Sequence, residues 1–438
     1  MGNYLPSTAS ERQEMLASLG LTSAEQLFDA LPTGMKLDAL QLPAGMSEMT
    51  LVQHITELAA QNKCYSTILR GAGAYDHYIP AIVKRMTSKE EFVTAYTPYQ
   101  AEISQGLLQG IFEYQTMICD LTDMEVANAS VYDGASAAAE AIAMCVERKR
   151  TKMLISASAH PHTIQVMQTY CMGSGVVLEI IPTADGITDV KALAAALSPE
   201  VAGVYVAQPN YLGLIEPCAE IGAVAKAAGA KFVMGVNPIA CALLKTPGEC
   251  GADIAVGEGQ PLGMPLSFGG PYLGFMATKT AMARKLPGRI VGQTKDDKGN
   301  RAFVLTLQAR EQHIRREKAS SNICSNQALC ALTAGVYLGA MGQQGLAEVA
   351  QQCHDKAHYL AGALCALSGV SMLYDAPFFH EFVIASQADT AALLAVLDAQ
   401  GILGGLPVEG GILWCTTEQA DKASLDAVVA AYQEVLGL

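Results

Sequence analysis

The sequence predicts an α/β protein with a mostly parallel sheet, and three observations lead to this class. Short β-branched runs such as GVVLEIIP, GVYVAQPN and KFVMGV recur in the chain after about residue 95. Helical patterns separate them, for example over residues 190–197 and 218–228. Gly-rich turns join strand to helix, as in EVANASVYDGASAAAEAIAMCVERKR. Alternation of this kind places parallel strands side by side under helices on both faces, with ligand sites at the carboxyl ends of the strands.

The elements fall into three predicted regions in chain order. Residues 1–94 are expected to form an N-terminal helical arm and lead-in, because apolar residues recur there at helical intervals. Residues 95–324 form the large α/β domain, which includes a hairpin with its turn at Asp297–Asn300. Residues 325–438 form a linking helix, from about Ser325 to Met341, and a small C-terminal α/β domain. A chain of 438 residues is too long for one hydrophobic core, which agrees with this division.

Composition narrows the possible partners. The formal net charge of −14 argues against nucleic acid and against anionic membranes as general partners. Only 16% of the residues are charged, 51% are apolar, and the mean hydropathy is +0.24. Because this polarity is low for a water-exposed surface, we expect another subunit to cover part of it.

Cysteine usage and the chain start bear on the compartment. Twelve cysteines are scattered without any C-x-x-C pair, which predicts reduced thiols and a cytoplasmic location. The first residues lack the basic head and apolar run of a signal peptide, and the apolar run Ala328–Met341 is too short for a membrane span. His160 and His162 have no accompanying carboxylate, so no metal site is expected and His160 is interpreted as structural.

Four stretches of the sequence carry a specific family resemblance. They are STILRGAGAYDHYIP, YTPYQAEISQG, FEYQTMICDLTDMEVANASVYDGASAAAEA and REQHIRREKASSNICSNQAL, in this order. Together they resemble the glycine cleavage system P-protein, the decarboxylating glycine dehydrogenase, and the similarity extends over essentially the whole chain. In that family the enzyme is either one long chain of two homologous halves or two separate subunits. The length of this chain matches the first, α subunit.

The resemblance implies a fold, a reaction and partners. The order of arm, large domain, linking helix and small domain is similar to fold-type-I pyridoxal-phosphate enzymes. The implied reaction is the decarboxylation of glycine by an oxidoreductase acting on CH–NH2, with transfer of the aminomethyl group to the lipoyl arm of the H-protein. The implied partners are the β subunit (subunit 2), which would hold pyridoxal phosphate, the H-protein carrier, and glycine as the small-molecule substrate.

Unsuitable residues occupy the positions at which this chain would bind a cofactor of its own. A pyridoxal-phosphate site in this fold needs a lysine, an acid for the pyridinium nitrogen, and a helix N-terminus for the phosphate. Gln260 and Pro261 stand where the lysine is expected, and Met234 stands where the acid is expected. Asp133 lies in the turn that would hold the phosphate and would repel it. We therefore expect no catalytic residue in this chain's own cofactor pocket. A purely structural interpretation of DGASAAAEA is an ordinary helix with a capping residue at its N-terminus.

Residues of two segments are expected to act across the subunit interface. By the resemblance, the candidates are Tyr96, Tyr99, Gln100, Arg316, Ser320, Ser321 and Asn322. The alternative for YTPYQ is a surface-packed loop, and for REQHIRREK a solvated helix face paired with Glu311 and Glu317. The serines and Asn322 could equally cap the linking helix. The family usually has threonine at Ser320, and the serine keeps the hydroxyl.

Two other functions remain open from the sequence. The chain could be a non-catalytic scaffold or regulatory subunit that touches no substrate. It could also be a self-contained pyridoxal-phosphate transferase that uses a lysine elsewhere in the chain. The first alternative predicts that mutations in the tyrosine loop leave turnover unchanged, and the second predicts a Schiff base on the isolated chain.

Overall fold

A computed structural model describes residues 6–32, 34–36, 40–95 and 98–438, so Tyr96 lies outside the described residues. The chain divides into two compact units, residues 1–64 and residues 65–438. Within the described residues, no helix is long and apolar enough to cross a membrane.

The first unit consists of helices without a core. Helix α1 (Ala9–Ser18) begins at the N-cap Thr8, and helix α2 (Glu48–Ala59) begins at Ser47, whose hydroxyl accepts from the Thr50 N–H. None of the described residues from 6 to 64 is buried. Large apolar side chains stand exposed, including Leu42 at 72% and Met49 at 80% exposure. The described helices therefore gain almost no stability from burial within this unit.

The second unit contains the remaining elements. Its helices are α3 (Ala81–Thr87), α4 (Glu90–Val93), α5 (Gln105–Thr122), α6 (Gly134–Cys145), α7 (Pro161–Ser174), α8 (Val190–Ala196), α9 (Cys218–Ala227), α10 (Gln312–Arg315), α11 (Ala328–Cys365), α12 (Thr390–Ala399) and α13 (Lys422–Leu436). Its strands are β1 (Thr67–Ile68), β2 (Val126–Ala127), β3 (Lys152–Ser156), β4 (Val177–Ile181), β5 (Thr183–Ala184), β6 (Ile187–Thr188), β7 (Val201–Gln208), β8 (Lys231–Val236), β9 (Ile254–Glu258), β10 (Gly274–Thr278), β11 (Ile290–Lys295), β12 (Arg301–Thr306), β13 (Val370–Met372), β14 (Glu381–Ser386), β15 (Ile402–Leu403), β16 (Leu406–Val408) and β17 (Gly411–Cys415).

A seven-stranded sheet forms the centre of this unit, in the order β2-β10-β9-β8-β7-β3-β4. Strands β3, β4, β7, β8 and β9 are parallel, whereas β10 runs antiparallel to both of its neighbours. The mostly parallel sheet predicted from the alternating pattern is therefore confirmed. The carboxyl ends of the parallel strands, such as Val236 and Glu258, meet at one edge.

Both faces of the central sheet are buried. Along β8, Phe232 and Met234 pack into one cluster, while Val233 between them packs into the cluster on the α6 face. This two-sided burial explains why the strands appear in the sequence as continuous β-branched runs without polar alternation.

The predicted hairpin and linking helix are both present. Strands β11 and β12 pair antiparallel, and the Asp296 side chain accepts from the Lys298 and Asn300 N–H groups in their turn. The linking helix is longer than predicted, since α11 continues to Cys365. It is interrupted at Gly342, whose φ of +63° lies in the left-handed region that glycine tolerates.

The C-terminal part forms a second layer of α/β structure. Strands β13, β14, β17 and β16 make an antiparallel sheet, which packs with α12 and α13 around the buried Trp414 and Tyr432. Strand β1 pairs with β15. Residues 65–80 thus bind to the C-terminal part, although they precede the large domain in sequence.

Candidate functional site

A cavity of about 360 Å³ lies at the carboxyl edge of the central sheet. Its walls come from the Ala72–Ala74 segment, the Asp133–Ala135 turn, His160, Gly235, Glu258 and Tyr272, among others. This is the edge at which parallel α/β sheets hold their ligands, and the first turn of α6 opens into it.

Two carboxylates occupy the N-terminus of α6. The Asp133 side chain accepts from the Ser136 N–H at 2.8 Å, as a normal N-cap does. Glu258 accepts from the Gly134 N–H at 2.9 Å. The same carboxylate also accepts from the N–H groups of Gln260 and Leu273, each at 2.9 Å. Burial raises the pKa of Glu258, against the opposing effect of these three backbone donors.

Glycine is required where the helix approaches β9. A Cβ added at Gly134 would lie 2.9 Å from the backbone nitrogen of Glu258. The close approach lets the glutamate reach the first N–H of the helix, which is the place an anion normally takes at a helix N-terminus.

Gln260 lies directly after β9, at the position predicted for the missing lysine. Its side chain is buried and accepts from the Tyr75 N–H at 2.9 Å. Its amide donates to the Tyr75 carbonyl at 2.9 Å and to the Met264 carbonyl at 2.8 Å. Gln260 therefore connects the lead-in segment to the sheet edge. Lys279 lies at the opposite edge, where it forms an ion pair with Asp253.

Met234 does not line the cavity. Its side chain is fully buried in the core, and the wall from β8 is formed by Gly235 and Val236. A Cβ at Gly235 would lie 2.3 Å from the Tyr205 hydroxyl oxygen, so the Tyr205 side chain fills the space beside β8. The assignment of Met234 to the position of the missing acid stays a prediction.

His160 has a structural role that the sequence predicted and a place in the cavity wall that it did not. Its Nδ1 accepts from the His162 N–H at 3.0 Å, which caps α7, and its Nε2 lies 3.0 Å from the Ala72 carbonyl. Burial lowers the pKa of His160, so the neutral ring is favoured.

A buried carboxyl group anchors the Ala72–Ala74 wall of the cavity. Glu381 accepts from the Ala72 N–H and from the Tyr75 hydroxyl, both at 2.7 Å. Burial raises the pKa of Glu381 to about 7. Sequence patterns did not indicate Glu258, Glu381 or Tyr75 as site residues. The GAGAY motif drew attention to this segment, but its partners lie more than 180 residues away in the chain.

The tyrosine loop and the segment after REQHIRREK meet on the surface. The Tyr99 hydroxyl lies 3.4 Å from the Cys324 carbonyl, and the Arg289 guanidinium lies 4.2 Å from the centroid of the Tyr99 ring. Arg289 is buried and forms an ion pair with Glu311. Gln100 is exposed beside this contact. Arg289 was not among the predicted residues, because it lies outside both motifs.

The basic segment divides into structural and exposed residues. Arg310 donates to the carbonyls of Leu286 and Gly288, so its guanidinium is used within the chain. Arg316 is exposed with a φ of +56°, a left-handed conformation that is rare outside glycine. The predicted continuous helix face is interrupted here, since α10 ends at Arg315 and Arg316 begins a separate 3-10 turn that ends at Lys318.

The three polar residues that follow are close to the surface. Ser320 and Asn322 are exposed, while the Ser321 hydroxyl accepts from the Ile323 N–H at 3.1 Å and bonds to Glu140 of α6. None of the described interface candidates lines the cavity. The structure brings Tyr99 to the Cys324 carbonyl, and neither residue lines the cavity.

One buried group has the donor types of a metal site. His77, Cys353 and Glu418 offer atoms within 4.8 Å of one another. Glu418 is 2.7 Å from the His77 ring nitrogen and accepts from the Cys353 thiol at 3.5 Å. A nitrogen–oxygen separation of this size is that of a hydrogen bond, so Glu418 is bonded to His77 and Cys353, whereas the buried His77 Nε2 has no hydrogen-bond partner among the described residues.

Comparison with known proteins assigns the family. The family model of the glycine cleavage system P-protein matches residues 2–432. The "Probable glycine dehydrogenase (decarboxylating) subunit 1" of Moorella thermoacetica is 50% identical over 442 residues, with 99% of each chain covered.

Solved structures agree in fold. A crystal structure of glycine decarboxylase (P-protein) of the glycine cleavage system, in inhibitor-bound form, has a TM-score of 0.92 at 42% identity, covering 99% of this chain and 100% of that chain. A sphingosine-1-phosphate lyase of Burkholderia pseudomallei has a TM-score of 0.67 at 15% identity, covering 91% and 92%, and shows the fold alone. The predicted fold-type-I class is confirmed. This chain belongs to the glycine cleavage system P-protein family.

Proposed function

We propose that this chain is the α subunit of a two-subunit glycine dehydrogenase (decarboxylating), and that the pyridoxal-phosphate lysine belongs to the β subunit. The observation that carries the proposal is Gln260, which occupies the turn after β9 and uses its amide to bind Tyr75 and Met264. The full-length similarity to subunit 1 proteins supports the same assignment.

The residues at the cavity do not fit pyridoxal phosphate. That cofactor supplies an electron sink for the charge left by loss of carbon dioxide, and it needs a lysine and an anion site. None of the described residues that line the cavity is a lysine or an arginine. The Gly134 and Ser136 N–H groups, which a phosphate would use, already bond to the carboxylates of Glu258 and Asp133. A dianion placed there would face two negative charges.

A large interface with the β subunit would explain why the first unit carries exposed apolar side chains. Its described helices bury no residue of their own, yet they carry many exposed apolar side chains. An obligate interface that covers these side chains together with other apolar surface would bury about 2,000 Å² or more in total. All twelve cysteines are free thiols, which supports a reducing compartment such as the cytoplasm.

In the assembled enzyme, this chain would complete the partner's site and help to position the H-protein. Tyr99, Gln100, Arg316, Ser320, Ser321 and Asn322 are the described candidates to reach the partner's cofactor, with Tyr96 outside the described residues. The exposure of Arg316 leaves its guanidinium available for a carboxylate or phosphate. Binding of glycine and aminomethyl transfer to the lipoyl group then take place at a site shared by both subunits.

A scaffold role is the second candidate. It is favoured by the Tyr99 ring, which packs under the Arg289 guanidinium and so already has a structural partner. A self-contained transferase is disfavoured, because Lys279 is paired with Asp253 at the far edge of the sheet.

Borohydride trapping tests the location of the lysine. Reduction of the purified complex loaded with pyridoxal phosphate should leave a stable adduct on a lysine of the β subunit, found by peptide mass. The isolated chain, treated in the same way, should give no specific adduct. Its adduct level should therefore equal that of the isolated Lys279→Arg variant. An adduct at any single lysine of this chain, at one equivalent, would contradict the proposal.

A further inference from the structure

The cavity at the sheet edge is acidic although it lies at a helix N-terminus. Asp133 and Glu258 both line it, and no lysine or arginine of the described chain does. A helix N-terminus carries the equivalent of roughly half a positive charge. Two carboxylates more than cancel this charge, so the wall is negative where this fold ordinarily receives an anion.

The other titratable groups in the wall do not restore positive charge. His160 and His162 line the cavity, and burial lowers the pKa of His160, which favours its neutral ring. The Tyr272 hydroxyl donates to the Leu266 carbonyl at 2.9 Å, and burial raises the pKa of this tyrosine. The wall therefore combines two acids with the neutral ring of His160 and the phenol of Tyr272, and this combination attracts cations.

Tyr205 supplies an independent indication of a ligand. Its side chain is only 6% exposed, and it lines the cavity. Its hydroxyl has no hydrogen-bond partner within the described part of the chain. The hydroxyl oxygen lies at the Gly235 wall, where a Cβ would come within 2.3 Å of it. The Tyr205 side chain is thus more than nine-tenths buried while its unpartnered hydroxyl is open to the cavity, where a bound molecule can bond to it.

The carboxylates retain capacity for a ligand. One oxygen of Glu258 accepts two backbone N–H groups and the other accepts one, and a carboxylate offers about four acceptor positions. Asp133 uses one oxygen to cap Ser136. An ammonium group has three donors, which matches two carboxylates and one hydroxyl.

We propose that this cavity binds a small organic ammonium compound, held by Asp133, Glu258 and the Tyr205 hydroxyl. The volume of about 360 Å³ is at the lower end of the range for small-molecule sites, and it excludes large ligands. A ligand with its own carboxylate is disfavoured, since the carboxylate would face the same acids. The proposal rests on that part of the proposed function which leaves this cavity without pyridoxal phosphate; borohydride trapping tests that part, and the titration below tests the ammonium site.

Calorimetric titration of the full chain tests this with probes that differ in their charged group. We expect n-butylammonium to bind at one equivalent, and butan-1-ol and butyrate not to bind. Asp133→Asn should weaken n-butylammonium binding by about 10–100-fold, the size of one charge-assisted hydrogen bond. Tyr205→Phe should weaken it by roughly 2–10-fold, the size of a neutral hydrogen bond.

A matched control separates charge from helix capping. Asp389 caps α12 by accepting from the Ala392 N–H at 2.8 Å, as Asp133 caps α6, and Asp389→Asn should leave binding unchanged. Asparagine is as good an N-cap as aspartate, so both variants should fold, which far-UV circular dichroism checks. The proposal is overturned if n-butylammonium does not bind at concentrations on the order of 10 mM, if butan-1-ol binds equally, or if potassium alone occupies the site. Equal affinity of the Asp133→Asn variant would overturn it as well.

Discussion

Gln260→Ala should destabilise the second unit substantially. The substitution removes three hydrogen bonds of 2.8–2.9 Å and leaves the Tyr75 N–H, the Tyr75 carbonyl and the Met264 carbonyl without partners. An unpaired group costs about 1–3 kcal/mol when it is buried, as the Met264 carbonyl is, and less when it is half-buried, as the two Tyr75 groups are, so the free energy of unfolding should fall by about 2–4 kcal/mol. With a urea dependence of roughly 3 kcal/mol per molar, the midpoint of urea unfolding should fall by about 1 M.

Hydrogen exchange and urea unfolding of matched variants check this reasoning. The Tyr75 amide should exchange much faster in Gln260→Ala than in the native chain, because its acceptor is gone. Gln344→Ala is the control, since Gln344 is exposed and pairs only with Glu348 one helical turn away. An unchanged midpoint together with an unchanged Tyr75 exchange rate would show that Gln260 does not connect the lead-in segment to the sheet edge.

The interface candidates, the buried Glu381 and the first unit each give a further test. In the assembled complex, Tyr99→Phe, Arg316→Ala and Ser321→Ala should each lower glycine decarboxylation by about 10–100-fold while assembly persists, whereas Lys298→Ala in the hairpin turn should do little; unchanged turnover in all three would favour the scaffold role. The pKa of Glu381 is raised from 4.5 to about 7, so the folded state binds more protons and stability should fall as pH rises from about 4.5 to 7; Glu381→Gln should flatten this dependence in urea unfolding measured across that range. A chain of residues 65–438 should keep its secondary structure by circular dichroism but lose co-elution with the β subunit, and retained co-elution would remove the interface role of the first unit.

Local sequence signals were sufficient for the sheet and its order of elements. Alternating β-branched runs and capped helices identify parallel strands because their burial is two-sided, as Phe232 and Val233 illustrate on opposite faces of β8. The extent of α11 was not predictable, since the glycine at 342 is a normal end signal for a helix, whereas the helix resumes beyond it with Leu346 and Val349 packed in the core. The division after Cys64 depends on contacts such as β1 with β15, which no local pattern encodes.

For the candidate site, the sequence indicated only which cofactor-binding residues are expected to be absent. The expected place of a cofactor lysine, at Gln260, could be located because a strand and a turn precede it. The contacts that the residues at this edge make could not be predicted, because Glu258 reaches Gly134 and Gln260 reaches Tyr75 across 124 and 185 positions of the chain. Pairings of that separation are fixed by the packed sheet, and a polar residue at a strand end carries no signal of its distant partner.

The Glu258 carboxylate on the Gly134 N–H has a consequence for how the stability of this subunit depends on cofactor supply. An enzyme that receives its anion from solution gains stability in proportion to RT ln(1 + [L]/Kd), and it loses that gain when the ligand is scarce. Here the anion is part of the polypeptide and cannot dissociate, so the helix terminus is satisfied as soon as the sheet forms. The free energy of unfolding of the isolated chain should therefore not change when pyridoxal phosphate is added or withheld.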